Sequence, residues 1–339
     1  MDEAQAIPAV EAAAHAEPTR RRGGTLRGIL KFARQKPLGA FGFLLIFFLF
    51  AMTLGTPKAE FGWPALPDRP FGFELGDPWM QRYEPETNFY VGSALSIDKG
   101  PTAEHWLGTD SSGRDTWSRI VNGARRSMFV GIWALIVATV IGSAIGIISG
   151  YFGSWFDITA QRFMDAVQSF PPLIALILIV TINPQIPIVN DEGGEQSTLL
   201  MAAFALGFVG IPSVQRITRG VVLSVREQQY VESARVIGAS DLRIMWGYIL
   251  PNIFASIIVV FSTGVGVVIL AEAALTFIVP DKLPTGISWG FMLSDSYASL
   301  GDAPWTGVFS AAAISVAVLG FNLAGDALRD VLDPRLRLR

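Results

Sequence analysis

The chain has 339 residues, of which 51% are hydrophobic and 16% charged, with no cysteine, two histidines and a net charge of −3. An ordinary soluble domain carries about 25% charged residues, so this composition, with a mean hydropathy of +0.43, places the chain among membrane proteins. It excludes disulfides, cysteine–zinc sites and thiol nucleophiles, makes a histidine-rich metal site untenable, and lacks the basic excess that nucleic-acid binding requires.

Residues 1–37 read as a basic cytoplasmic tail, and the Ala-, Glu-, Pro- and Arg-rich stretch 1–24 predicts disorder. The first apolar stretch, about Gly39 to Gly55, runs through Leu44-Leu45-Ile46-Phe47-Phe48-Leu49-Phe50 and predicts a transmembrane helix over 38–55. Its apolar core starts too far along the chain for a cleaved secretory signal, so it reads as an uncleaved anchor.

Residues 56–126 form an extracytoplasmic loop with Pro57, Pro64, Pro67, Pro70, Pro78, Pro85 and Pro101, and with Trp63, Trp79, Trp106 and Trp117. That many prolines argue against a regular domain, and the tryptophans suit a segment at the lipid headgroups. Near its end, Thr109, Asp110 or Ser111 can cap a helix. Trp117, Ile120, Val121 and Ala124 then fall on one stripe, which predicts an interfacial amphipathic helix turning at Gly123-Ala124 into the next span. The helix suits a brace for that span, or a gate over an outer mouth built on Asp110, Arg114 and Asp115. An ion pair among those three residues fits either role, while His105 alone is too little for a metal site.

Residues 127–325 hold five further apolar stretches of roughly spanning length. The second span covers about Met128 to Gly150, and the third centres on Leu173–Ile182 and starts ahead of Pro171. The fourth covers about Thr198 to Ile211, extended by Pro212–Val214, the fifth Ile253 to Val279 and the sixth Trp305 to Ala324. Asp165 is expected to pair with Arg162 or to cap a helix. The cytoplasmic tail 326–339 carries Asp326, Arg329, Asp330, Asp333 and Arg335, either as a solvated run or as a contact with a partner.

Lysine and arginine set the orientation. The N-terminal tail has seven, the loop between spans four and five has Arg216, Arg219, Arg226, Arg235 and Arg243, the C-terminal tail has four, and Arg162 lies between spans two and three. The short loops on the other side hold only Lys282. The long loop 56–126 largely escapes the rule by its length. Both termini are therefore expected in the cytoplasm, around an all-α membrane domain of six helices.

The cytoplasmic loop 216–252 is the most informative segment. Tyr230, Val231, Ala234 and Ile237 make a narrow apolar stripe. Gly238 sits where a helix must stop, Ser240 can cap a second helix with Asp241 in its first turn, and Pro251 fits the start of span five. The pattern predicts two short helices and a tight turn, either a peg for a partner's groove or a loop packed on itself.

Glu232-Ser233-Ala234, Gly238 and Leu250-Pro251 resemble the EAA–Gly–Leu-Pro signature of ABC importer permeases, with Ser233 for the usual Ala and Tyr248 for the usual Ile. Leu107-Gly-Thr-Asp-Ser-Ser-Gly-Arg-Asp115, Tyr151-Phe-Gly-Ser-Trp-Phe-Asp157, Ser169-Phe-Pro-Pro172, Glu272-Ala-Ala-Leu275, Ser288-Trp-Gly290 and the ending Asn322 to Arg335 are similar to the dipeptide, oligopeptide and nickel permeases. The likeness spans about Gly28 to Arg337 and is nearest the C-type subunit. The stretch Phe277 to Ile287 departs from it, replacing a Gly-rich turn.

The resemblance implies a type I importer membrane domain paired with a second, homologous permease as a heterodimer, two cytoplasmic ATPases that use ATP and Mg, and an extracytoplasmic substrate-binding protein. It implies a peptide cargo, with nickel or another small solute as the alternative. It also places Tyr230, Val231, Glu232, Ser233, Ala234, Ile237, Gly238 and Ala239 in the ATPase-coupling segment, with Glu232 available to pair with a base there. Independently, none of Lys31, Lys36, Lys58, Lys99 and Lys282 follows a glycine, so the chain lacks the Gly-Lys-Ser/Thr of a phosphate-binding loop and is expected to bind no cofactor itself. Glu272 is the clearest ionisable residue within a span, and either lines the pathway or braces a neighbour. A secondary transporter would show more charge within its spans, and a membrane enzyme would show nucleophiles or metal ligands.

Overall fold

A computed structural model of the chain describes residues 32–54, 83, 90–91, 94–95, 97–182, 194–280 and 287–332. The basic tail up to Lys31, the proline-rich stretch with Trp63 and Trp79, the atypical loop around Lys282, and Asp333 to Arg339 lie outside them. The described chain is helical apart from a two-residue antiparallel pairing of β1 (Tyr90–Val91) with β2 (Ala94–Leu95).

Helix α1 (Pro37–Leu54) opens on a proline, whose missing N–H costs nothing at a helix start. At 18 residues it is about 27 Å long, just short of a hydrocarbon layer of about 30 Å. Leu49 and Met52 join the main apolar cluster with Ile314, Ala317 and Phe321.

Helix α2 (Thr116–Phe152) runs unbroken for 37 residues, so the separate interfacial helix and the turn at Gly123-Ala124 do not occur. The stripe that suggested a surface helix is internal. Ile120 is 4% exposed, Val121 and Ala124 are fully buried, and a Cβ on Gly123 would sit 3.1 Å from Trp289. The cap is also further along than expected, because Asp115 accepts the backbone N–H of Ser118.

After Gly153, at φ 63°, the chain turns into α3 (Ser154–Gln168). It bends by 82° into α4 (Pro172–Ile182). Pro171 and Pro172 supply no backbone N–H to continue the ladder, so the third apolar stretch is a broken pair rather than one rod.

Helix α5 (Gly194–Val225) contains Pro212 and carries Arg216 and Arg219, which were expected in the following loop. It packs along α2 at very close range. A Cβ on Gly142 would lie 2.9 Å from the Ile211 carbonyl oxygen, one on Gly146 2.8 Å from that of Gln215, and one on Gly150 2.9 Å from Val222. The spacing is Gly-x-x-x-Gly-x-x-x-Gly, the small-residue seam that brings membrane helices into backbone contact.

Helices α6 (Gln229–Val236) and α7 (Asp241–Ile244) lead through a π-helical turn at Met245–Ile249 into α8 (Leu250–Ile278), with Pro251 in its first turn. Helix α9 (Trp289–Tyr297) is capped by Ser288. It buries Trp289, whose indole donates to the Ile120 carbonyl at 3.0 Å. Helix α10 (Pro304–Leu332) extends past the expected sixth span and takes Asp326, Arg329 and Asp330 into its last turns.

Among the described residues four stretches are long and apolar enough to cross a membrane: Thr116–Phe152, Leu199–Val225, Asp241–Ile278 and Pro304–Leu332. The bent pair α3–α4 makes a fifth, and α1 is a shorter apolar helix.

Candidate functional site

The two short helices after α5 form a protruding knuckle. Gly238 stands at φ 80°, a left-handed conformation that strains any side chain with a Cβ. The turn closes on two backbone bonds, Gly238 N–H to the Arg235 carbonyl and Ala239 N–H to the Ala234 carbonyl, both at 3.0 Å. Ser240 occupies the next N-cap position without a side-chain cap bond.

The expected stripe splits in two. Val231 and Ala234 are buried at 0% and 2% exposure, packed with Val222, Ile244, Ile249 and Ile253, and Ala239 leans on the same cluster. They hold the knuckle to the protein and present nothing to a partner. Tyr230 and Ile237 remain exposed, together with Val236, Leu242 and Trp246, which the stripe left out. The face with Val231 and Ala234 is turned inward, and the stripe fails at Ile237 because the helix ends at Val236 and Ile237 is its C-cap residue. Glu232 and Ser233 are exposed, and partial burial raises the Tyr230 phenol above its ordinary pKa. Glu232 also lines a cleft with Tyr151, Arg226, Glu227 and Arg235.

Glu272 is 2% exposed within this chain alone. The hydroxyls of Ser127, Ser288 and Thr276 surround it, yet neither carboxylate oxygen is within hydrogen-bonding geometry of any of them. Ser127 and Ser288 instead accept the N–H groups of Trp289 and Phe291. Within this chain Glu272 is thus enclosed between α2, α8 and α9.

At the N-terminal end of α2 the three candidates separate. Arg114 pairs with Asp110 at 2.9 Å and with Asp295 of α9 at 2.9 Å. Arg119, fully buried, reaches the same two carboxylates at 3.4 and 3.6 Å. Asp115 stays outside this four-residue cluster, capping α2 and meeting His105 Nδ1 at 2.9 Å. Asp295 escaped the sequence reading because its partners, Arg114 and Arg119, lie far away in sequence. The cluster ties the segment before α2 to α9, an arrangement that fits a brace and a gate alike.

Asp165 pairs at 3.5 Å with Arg216 rather than with Arg162, because Arg216 lies on the neighbouring helix α5. Among the described residues no cluster of His, Cys, Asp and Glu could hold a metal ion.

The model of the family described as binding-protein-dependent transport system inner membrane component matches residues 142–338. The dipeptide transport system permease protein DppC of Alkalihalophilus pseudofirmus is 40% identical over 239 residues, covering 70% of this chain and 75% of that protein. The glutathione transport system permease protein GsiD of Pectobacterium atrosepticum is 36% identical over 241 residues, covering 71% and 76%. GsiD of Escherichia coli O1:K1 is 35% identical over 259 residues, covering 76% and 80%. The family match takes in the knuckle, Glu272 and Asp295, and begins after Asp110, Arg114 and Arg119.

Proposed function

The chain belongs to the family of binding-protein-dependent transport system inner membrane components, and on that premise we propose that it is the C-type permease subunit of an ATP-driven importer of peptides. It is a multi-pass inner-membrane protein and a transport subunit. Its crossings are α1, α2, the bent pair α3–α4, α5, the run α7–α8, and α10. Both termini lie in the cytoplasm, the side that the lysine and arginine distribution favours. A second, homologous permease completes the pathway. An extracytoplasmic binding protein delivers the cargo, and two ATPases supply the energy from ATP and Mg.

The knuckle α6–α7 receives the ATPase. The observation that carries this is the exposure of five large apolar side chains between 230 and 246: Tyr230, Val236, Ile237 and Leu242 of the knuckle and Trp246 of the turn that follows it. Such a patch marks an interaction surface, and the small helical tip suits a groove. The peptide cargo rests on the names of the relatives, dipeptide and glutathione permeases at 40% and 36% identity.

Uptake of labelled dipeptides into proteoliposomes holding the four-part complex and its binding protein tests the reading. Uptake is expected to require ATP and to persist when proton and sodium gradients are collapsed. Gradient-driven uptake refutes the ATP-driven reading, and nickel accumulation without peptide uptake refutes the peptide assignment.

A further inference from the structure

One phenol ties the longest helix to both members of the knuckle. Tyr151 lies one residue before the end of α2 and is 6% exposed. Its hydroxyl donates to Asp241 Oδ1 at 2.6 Å, and Asp241 is the first residue of α7. Its ring carries the guanidinium of Arg235, from the last turn of α6, at 5.2 Å from the ring centre. The backbone around it is clamped as well, since Arg226 Nη1 donates to the Gly150 carbonyl at 2.8 Å and to the Tyr151 carbonyl at 3.5 Å.

These contacts differ in kind from the apolar ones beneath them. Val231, Ala234, Ile244 and Ile249 hold the knuckle through burial, which resists separation but has no direction. A hydrogen bond from a phenol to a carboxylate is short, strong and directional. Displacing α7 therefore pulls on the end of α2. That helix is continuous for 37 residues, and its other end holds Arg119 against Asp110 and Asp295. A single rigid element thus connects the knuckle with the far ion cluster.

We infer that Tyr151, through its bond to Asp241, is the positioning residue that passes displacement of the knuckle on to α2. The inference rests on the reading of the knuckle as the ATPase-docking element. Tyr151→Phe removes only the hydroxyl and keeps the ring under Arg235. Asp241→Asn keeps an acceptor oxygen, while Asp241→Ala removes it.

The native chain has no cysteine, so with cysteine-free partner subunits nitroxides go only to a Val140→Cys, Leu319→Cys pair. These positions are exposed on α2 and α10. The distance between them is read in the full complex before and after trapping with ATP and vanadate, alongside co-purification of the ATPases and basal ATP hydrolysis. The unsubstituted complex and Asp241→Asn are expected to show the same distance shift. Tyr151→Phe and Asp241→Ala are expected to lose more than half of it, with ATPases bound and basal hydrolysis retained, and the double variant to lose no more than either alone. A full shift in Tyr151→Phe, or no shift in the unsubstituted complex while ATP is hydrolysed, overturns the inference. A chain that retains no ATPase at all refutes the docking reading instead.

Discussion

Arg219 reaches across from α5 and donates through Nε and Nη2 to the two carboxylate oxygens of Asp157 on α3. This fork-to-fork pair explains how α3 sits. Its polar side, with Asp157, Asp165 and Gln168, faces the arginines of α5, and Trp155, Ile158 and Phe163 are left exposed. Asp157→Asn should lower stability in detergent by about 1–3 kcal/mol, read as a drop in thermal midpoint. Arg219→Gln in the same chain should add little further loss, because both substitutions break one pair.

The glycine seam between α2 and α5 leaves no room for a side chain. Gly146→Val places its Cβ about where the Gln215 carbonyl oxygen and Thr218 Cβ already stand, 2.8 and 2.9 Å away. Overpacking of this kind costs about 1–3 kcal/mol, and here it meets backbone that cannot rotate aside. The expected outcome is reduced yield of folded protein and a lower thermal midpoint. Gly220→Val on α5, where a Cβ meets nothing within 4 Å, should leave both close to the original.

Asp98 offers a pH test away from the spans. Burial, then the charges of Asp302 and Asp110, raise its carboxyl above the ordinary 3.8. A carboxyl raised in this way binds its proton more tightly in the folded than in the unfolded chain. Its contribution to stability therefore falls as pH rises past the ordinary value, and the ionised form is unfavourable at neutral pH. Asp98→Asn removes that charge and keeps a residue that accepts the φ of 51° found there. The variant should melt higher at pH 7 and gain nothing near pH 3. A lower midpoint at pH 7 contradicts the sign.

Glu272→Gln should leave the KM for peptide uptake within about twofold, since a sealed side chain touches no cargo. Replacing an unpaired buried carboxylate by a neutral group of the same shape should also hold or raise thermal stability. A tenfold rise in KM would return Glu272 to the pathway.

Much of the fold was legible because its signals are local. Gly238 stops a helix through its own backbone freedom, and Pro251 falls in the first turn of α8. The apolar runs of α2, α5, α8 and α10 carry their periodicity in the open. Other features depend on partners distant in sequence. The stripe of Trp117, Ile120 and Val121 looked interfacial because nothing nearby shows that Trp289 and Ser288 will cover it. Arg216 and Arg219 looked like loop charges because their acids sit on α3. The split of the knuckle into an inward face at Val231 and Ala234 and an outward one at Ile237 and Leu242 depends on where α5 and α8 lie. The Gly142-Gly146-Gly150 spacing stands in the sequence, but it became a seam only once α5 was seen against it.

The most direct measurement of the docking account is the yield of ATPase that co-purifies with the assembled permeases when Ile237→Asp or Leu242→Asp is introduced. These side chains are 77% and 66% exposed, so a charge there leaves the core undisturbed. Burying it in a partner's groove should cost about 2 kcal/mol or more, roughly a thirtyfold loss of affinity. The account predicts loss of the ATPase, and of ATP-driven uptake, from a permease that inserts and melts as before. Undiminished co-purification and uptake in both variants would contradict it.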